Sequence, residues 1–191
     1  VRKKLIQLWN SYSFYATYAA VDGFSPKGRK LNDNDLTILD KWIISKMHIL
    51  IKDATNAYDA FRVDKFMRSF ERFLDDLSNW YIRRNRRRFW KAEDDGDKQT
   101  AYQTLYEVLF TTIRLLAPCL PFVTEEIYQN LVRSSIGDAP ESIHLCDFPI
   151  ADETCINEKL MTQVDALRKV VEQSRSARNK ANLIAGGTAL L

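Results

Sequence analysis

Apolar residues recur along this chain at intervals of three and four, a rhythm that predicts one helix after another. The opening stretch carries Leu5, Leu8, Trp9, Tyr12, Tyr15, Ala16 and Ala19 at helical spacing, and Gly23 ends it before a loop with Ser25, Pro26 and Gly28. Tyr12, Phe14, Tyr15 and Tyr18 read as packing rings. Asn32 to Asp35 then offers capping side chains for a second helix. Along it Leu36, Leu39, Ile43, Met47, Leu50, Ala54, Ala57 and Phe61 repeat almost as a heptad, which suits a neighbour at a shallow angle.

The stretch from Asp64 to Lys91 has two unlike sides. Wound as a helix, it puts Phe66, Phe70, Phe73, Leu77, Trp80 and Tyr81 on one face. Lys65, Arg68, Arg72, Asn79, Arg83, Arg86 and Trp90 fall on the other. Arg84 and Arg88 continue the apolar line, so they are expected to be covered and paired with acids of neighbouring helices. Arginines at 83, 84, 86, 87 and 88 exceed what a single solvated stripe needs, and aromatics bracket them. Two readings stand: a solvated helix end whose cations complement the macrodipole, or a surface that holds phosphates and stacks bases. In the second, Asn79, Arg83, Arg86, Arg87, Trp90 and Lys91, with Arg72 upstream, form the RNA-binding row. Trp90 either stacks on a base or closes the core.

Glu93 to Asp97 reads as an acidic loop. A fourth helix follows on Tyr102, Leu105, Tyr106, Leu109, Phe110, Ile113 and Leu116. Pro118 and Pro121 break it and start a short fifth, with Pro121 near its first position and Glu125 and Glu126 in its first turn. From Arg133 to Ile156 the rhythm lapses; Ile143 to Leu145 is at most a short extended piece. A last helix, roughly 157 to 182, carries Arg175, Arg178 and Lys180 as a second basic patch. The expected fold is all-α: an antiparallel bundle over 1–132, then an irregular connection and C-terminal helix over 133–191 of the same domain.

Composition narrows the class. With 46% hydrophobic and 28% charged residues the chain is an ordinary globule. A net charge of +3 is too mild to argue for nucleic acid, so any such binding rests on local clustering. Three cysteines without a CxxC pair fit neither a disulfide framework nor a zinc knuckle, and suit a reducing compartment. No apolar run approaches membrane-spanning length. A cytoplasmic monomer is expected. No catalytic residue and no metal site stands out: there is no glycine-rich phosphate loop and no histidine pair at metal spacing. Asp75 and Asp76 are no acid–base pair, because adjacent helical residues point about 100° apart; ion pairing with nearby arginines is expected instead. His48 and His144 are lone histidines.

The residues also carry a resemblance. FLDDLSNWYIRRNRRRFW, residues 73 to 90, resembles the signature helix of the anticodon-binding domain in isoleucyl-tRNA synthetases. LLAPCLPFVTEEIYQNL, residues 115 to 131, resembles a proline-broken helix pair shared by the class I synthetases for isoleucine, valine, leucine and methionine. LWNSYSFYATYAAVDGF, residues 8 to 24, and SARNKANL, residues 176 to 183, are similar to segments at corresponding places in the same family. NWYIRRNRRRFW favours isoleucine; the same domain from a valine, leucine or methionine enzyme is the alternative within the family. The ATP-site signatures HIGH and KMSKS are missing, and Ser45 to His48 only shares letters with the second. The family usually continues after Leu183 with a basic residue and Arg-Gln-Pro-Leu. The different ending here, Ile184 to Leu191, is a foreign tail or a local divergence.

The resemblance implies a tRNA-binding part of a larger ATP- and magnesium-dependent ligase, itself without cofactor, with catalysis and editing elsewhere. Its implied partners are tRNA for isoleucine and the catalytic and C-terminal domains of the parent chain. The competing class is a helical protein-interaction scaffold whose arginines face an acidic protein.

Overall fold

The computed structural model describes residues 2–90 and 95–180, and no strand occurs among the described residues. The helices are α1 (Arg2–Val21), α2 (Ile38–Asp59), α3 (Val63–Asp75), α4 (Arg83–Trp90), α5 (Asp95–Leu116), α6 (Pro121–Tyr128) and α7 (Glu158–Lys180). The all-α expectation holds. α3 and α4 are two parts of one rod, because Asp76–Ile82 between them winds as a π-helical turn. A second such turn, Gln129–Arg133, extends α6.

The chain divides into two compact units after Ile156. In the first, α2 and α3 form an antiparallel hairpin. Its two stripes meet along their length: Tyr58 near the end of α2 lies 5.2 Å from the Phe66 ring near the start of α3. Trp42, Ile43, Phe66, Phe70, Leu74 and Leu77 are almost wholly buried. Truncating one of the rings, as in Phe70→Ala, would cost about 3–5 kcal/mol. Residues 133–156 belong to this unit. Tyr128 donates its hydroxyl to the Pro140 carbonyl at 2.7 Å, and Ser45 donates to the Cys155 carbonyl at 2.7 Å. His48 Nδ1 accepts the Asp152 N–H at 3.0 Å, and burial pushes the imidazole pKa down, which makes His48 a structural residue. In the second unit α7 starts with the Leu160 N–H donated to the Asn157 side chain at 2.9 Å.

Several local expectations change. Asn32 to Asp35 forms a turn, and the cap of α2 is Thr37, whose hydroxyl accepts the Asp40 N–H while the Asp40 carboxylate accepts the Thr37 N–H. Such a reciprocal box satisfies two otherwise free amides. Phe61 is not on the core stripe: it is 93% exposed at φ +53°, in the turn that reverses the chain between α2 and α3. α5 begins at Asp95, so Asp97 belongs to a helix and not to an acidic loop. Glu125 and Glu126 lie beyond the first turn of α6, where Glu125 instead accepts from the Ser142 hydroxyl and the Ile143 N–H. Ile143–Leu145 is a 3-10 turn and not an extended piece.

Candidate nucleic-acid interface

The end of the basic rod is fixed from beneath by rings. Phe89 is 1% exposed, with Phe14 of α1 and Tyr102 of α5 edge-on to it, each at 5.1 Å. Phe24 stacks on Tyr102 at 5.0 Å, just past Gly23, whose φ of +62° lets the chain turn back after α1. Edge-on and offset rings at this separation are the favoured arrangements.

The π turn decides which arginines face outward. In an unbroken α-helix Arg84 would continue the line of Phe70 and Leu77 into the core. A π turn takes up one extra residue, and this sets everything beyond it back by about 100°. Asn85 and Phe89 occupy the buried line instead, at 5% and 1% exposure. Arg84 therefore stands exposed, contrary to the expectation of burial, with its guanidinium 4.5 Å above the Trp80 ring.

Arg88 meets the expectation that failed for Arg84. Its Nη1 donates to Asp40 Oδ1 at 2.9 Å, while Nε and Nη2 donate to Asp97 Oδ1 at 2.9 and 2.6 Å. Asp40 is fully buried and also accepts the Tyr81 hydroxyl at 2.7 Å and the Thr37 hydroxyl at 2.7 Å. Burial alone would lower the Arg88 pKa, but the hydrogen bonds to Asp97 and Asp40 outweigh it and hold the guanidinium charged. Burial, followed by the Asp40 charge, pushes the Tyr81 hydroxyl far above its ordinary range. Alongside, Asp22 accepts from Lys98 Nζ at 2.6 Å and the Tyr102 hydroxyl at 2.5 Å, which holds its carboxyl below the usual range.

The rest of the row points to solvent. Asn79, Arg83, Arg86, Arg87 and Trp90 are all exposed, as is Arg72 on α3. Asn79 donates to Asp75 at 3.3 Å, and Arg72 to the Ser69 hydroxyl at 3.2 Å. Trp90 is 55% exposed with one side against Tyr18 at 6.2 Å, so it is partly packed and partly available. Lys91 lies outside the described residues. Arg175 and Arg178 are exposed on α7; the Lys180 side chain lies outside what is described. The outward face can hold anions and offers one aromatic ring for stacking. Among the described residues no cluster of three metal-ligating side chains occurs, and no helix is long and apolar enough to cross a membrane.

Sequence reasoning missed Asp40, which was legible as the fourth residue of the capping box Thr37 to Asp40. It also misplaced Asp97. No local pattern links Asp97 to Arg88, since only the α4–α5 reversal brings them together. Asp75 and Asp76 pair with lysines of other helices and not with the neighbouring arginines: Lys4 of α1 lies 2.7 Å from Asp75 and Lys46 of α2 lies 3.6 Å from Asp76.

Comparison with known proteins finds relatives along nearly the whole chain. An isoleucine–tRNA ligase of Dehalococcoides mccartyi is 48% identical over 182 residues, covering 95% of this chain and 18% of the ligase. That of Clostridium tetani is 48% identical over 184 residues, again 95% of this chain and 18% of the ligase. That of Pyrococcus furiosus is 41% identical over 184 residues, 96% of this chain and 17% of the ligase. The chain thus spans less than a fifth of the length of these relatives. The family model for the anticodon-binding domain of tRNA ligase matches residues 40–188, and the chain belongs to that family.

Proposed function

We propose that this chain is the part of an isoleucine–tRNA ligase that holds the anticodon arm of tRNA for isoleucine. Asn79, Arg83, Arg86, Arg87 and Trp90, with Arg72 and Lys91 at the two ends, form the RNA face. Arg175, Arg178 and Lys180 are a second patch for the same partner. The observation that carries this reading is the division of labour among the arginines: Arg88 is locked to the buried Asp40 and the part-exposed Asp97, whereas Arg83, Arg86 and Arg87 stand exposed beside a half-exposed tryptophan. Phosphate contacts of this kind position an RNA without reading it, and a stacked ring adds sequence-tolerant affinity.

The joining of isoleucine to tRNA with ATP and magnesium belongs to the remainder of the ligase, and no residue here is given a role in it. The chain works as a monomer in the cytoplasm, joined to the catalytic and C-terminal domains of its parent. The test is tRNA binding across a salt series. An RNA face gives a linear fall of log affinity with log salt, about 0.7–0.9 per phosphate neutralised, and the slope flattens in Arg83→Ala/Arg86→Ala. A scaffold for acidic proteins would bind tRNA no better than an unstructured polyanion of equal charge, and that result would overturn the reading.

A further inference from the structure

A cleft of about 370 Å³ opens between the last turns of α2 and the first turns of α3. Ala57 and Ala60 leave room on the α2 side, and Lys65, Arg68 and Arg72 line the α3 side. With Asp53 the only acidic residue lining it, the cleft carries three positive charges against one negative, a net of +2. All three cations are exposed. Arg68 shares Asp64 with Arg62, while Arg72 reaches only the Ser69 hydroxyl and Lys65 makes no ion pair among the described residues. At positions 65, 68 and 72 they stand one above another along about 10 Å of helix, a spacing at which like charges repel until an anion sits between them. Phe61, directly after Ala60, holds its ring 93% exposed at φ +53°, which is uncommon for a bulky residue. Exposed cations lining a concave surface are what a phosphate group needs.

The cleft lies on the same rod as the RNA face. From Arg68 to Arg83 and Arg87 is about 22–28 Å at 1.5 Å per residue. The extra residue of the π turn also rotates Arg87 back to the side that carries Arg68 and Arg72. A single backbone running along the rod can therefore touch both places.

We propose that the α2–α3 cleft is a second phosphate seat, which takes the tRNA backbone at a point distant from the nucleotides held by α4. The proposal rests on the RNA reading of α4, and Arg72 joins the two sites. Its test compares whole tRNA with the isolated anticodon hairpin, using Lys65→Ala/Arg68→Ala. Whole-tRNA affinity should fall about tenfold and the log–log salt slope should flatten by about 1.4–1.8, the loss of two phosphate contacts. Hairpin binding should stay as it was. Ser69→Asp, which puts a carboxylate into the cleft and keeps every cation, should give the same selective loss, with unchanged melting as the check on folding.

Unchanged whole-tRNA affinity and slope in both variants would overturn the second seat and leave the α4 reading standing. Equal losses for hairpin and whole tRNA would show that the cleft is no separate site. Failure of the unaltered protein to bind either RNA would overturn the α4 reading itself. Inorganic phosphate tests the other source: if it raises the melting temperature of the unaltered protein and not of the variants, with tRNA binding equal in all, the seat belongs to free phosphate.

Discussion

Arg88 and Arg83 stand five residues apart on one short helix and serve opposite ends. Arg88 spends its guanidinium on Asp40 and Asp97, one of them at the capped start of α2 and the other in the first turns of α5. Three helices thereby meet on one cation. Arg83 faces water with no such partner among the described residues. Charge type is therefore a poor guide to role on this helix; what separates the two residues is whether a carboxylate from another element has been brought within reach. The clamp fixes the rod and leaves the outer arginines free for a partner.

That contrast can be broken most forcefully at the clamp. Arg88→Ala leaves Asp40 buried with only neutral donors, and breaking a buried pair from one side costs about 3–5 kcal/mol. For a chain of this length the melting temperature should drop by roughly 10 °C. Arg83→Ala should scarcely move it. Equal thermal shifts would show that the clamp carries no special weight.

Trp90→Ala comes next. Its exposed half predicts a loss of tRNA affinity of about 1–3 kcal/mol with little change in salt slope. Its contact with Tyr18 predicts a smaller fall in melting temperature. Melting and titration of the same variant measure the two shares, and a full stability loss with affinity intact would remove Trp90 from the RNA face.

Arg84→Ala sharpens the comparison from the middle. An exposed guanidinium over a ring is worth about 0.5–1 kcal/mol, so the variant should melt only slightly lower and far above Arg88→Ala. A loss as large as that of Arg88→Ala would mean that the π turn does not set the phase of α4.

The smallest effect is expected at Asp22. Hydrogen bonds from Lys98 and then Tyr102 hold its carboxyl below the usual range. A depressed carboxyl contributes stability above its ordinary titration range, and that contribution fades as pH falls through the lowered value. Asp22→Asn should thus melt slightly lower than the unaltered protein near neutral pH, with the gap closing in acid. A gap that persists in strong acid would assign the effect to packing.

The helices themselves were legible in the sequence, because a three-four rhythm of apolar residues can bury only as one face of a helix. The sequence also marked the outward residues Asn79, Arg83, Arg86, Arg87 and Trp90, and Gly23 as a stop where a left-handed backbone is needed. Residue order alone could not show that Asp76–Ile82 admits one more residue per turn. That departure depends on how Trp80, Tyr81 and Ile82 all bury together against their neighbours, and it exchanged Arg84 for Asn85 on the core line. Nor could the sequence assign Arg88 its partners, one 48 positions earlier and one nine positions later, across two chain reversals. Helical periodicity is local and is written in neighbouring residues; the pairing of a buried charge depends on which elements fold against it, and only the tertiary structure decides that.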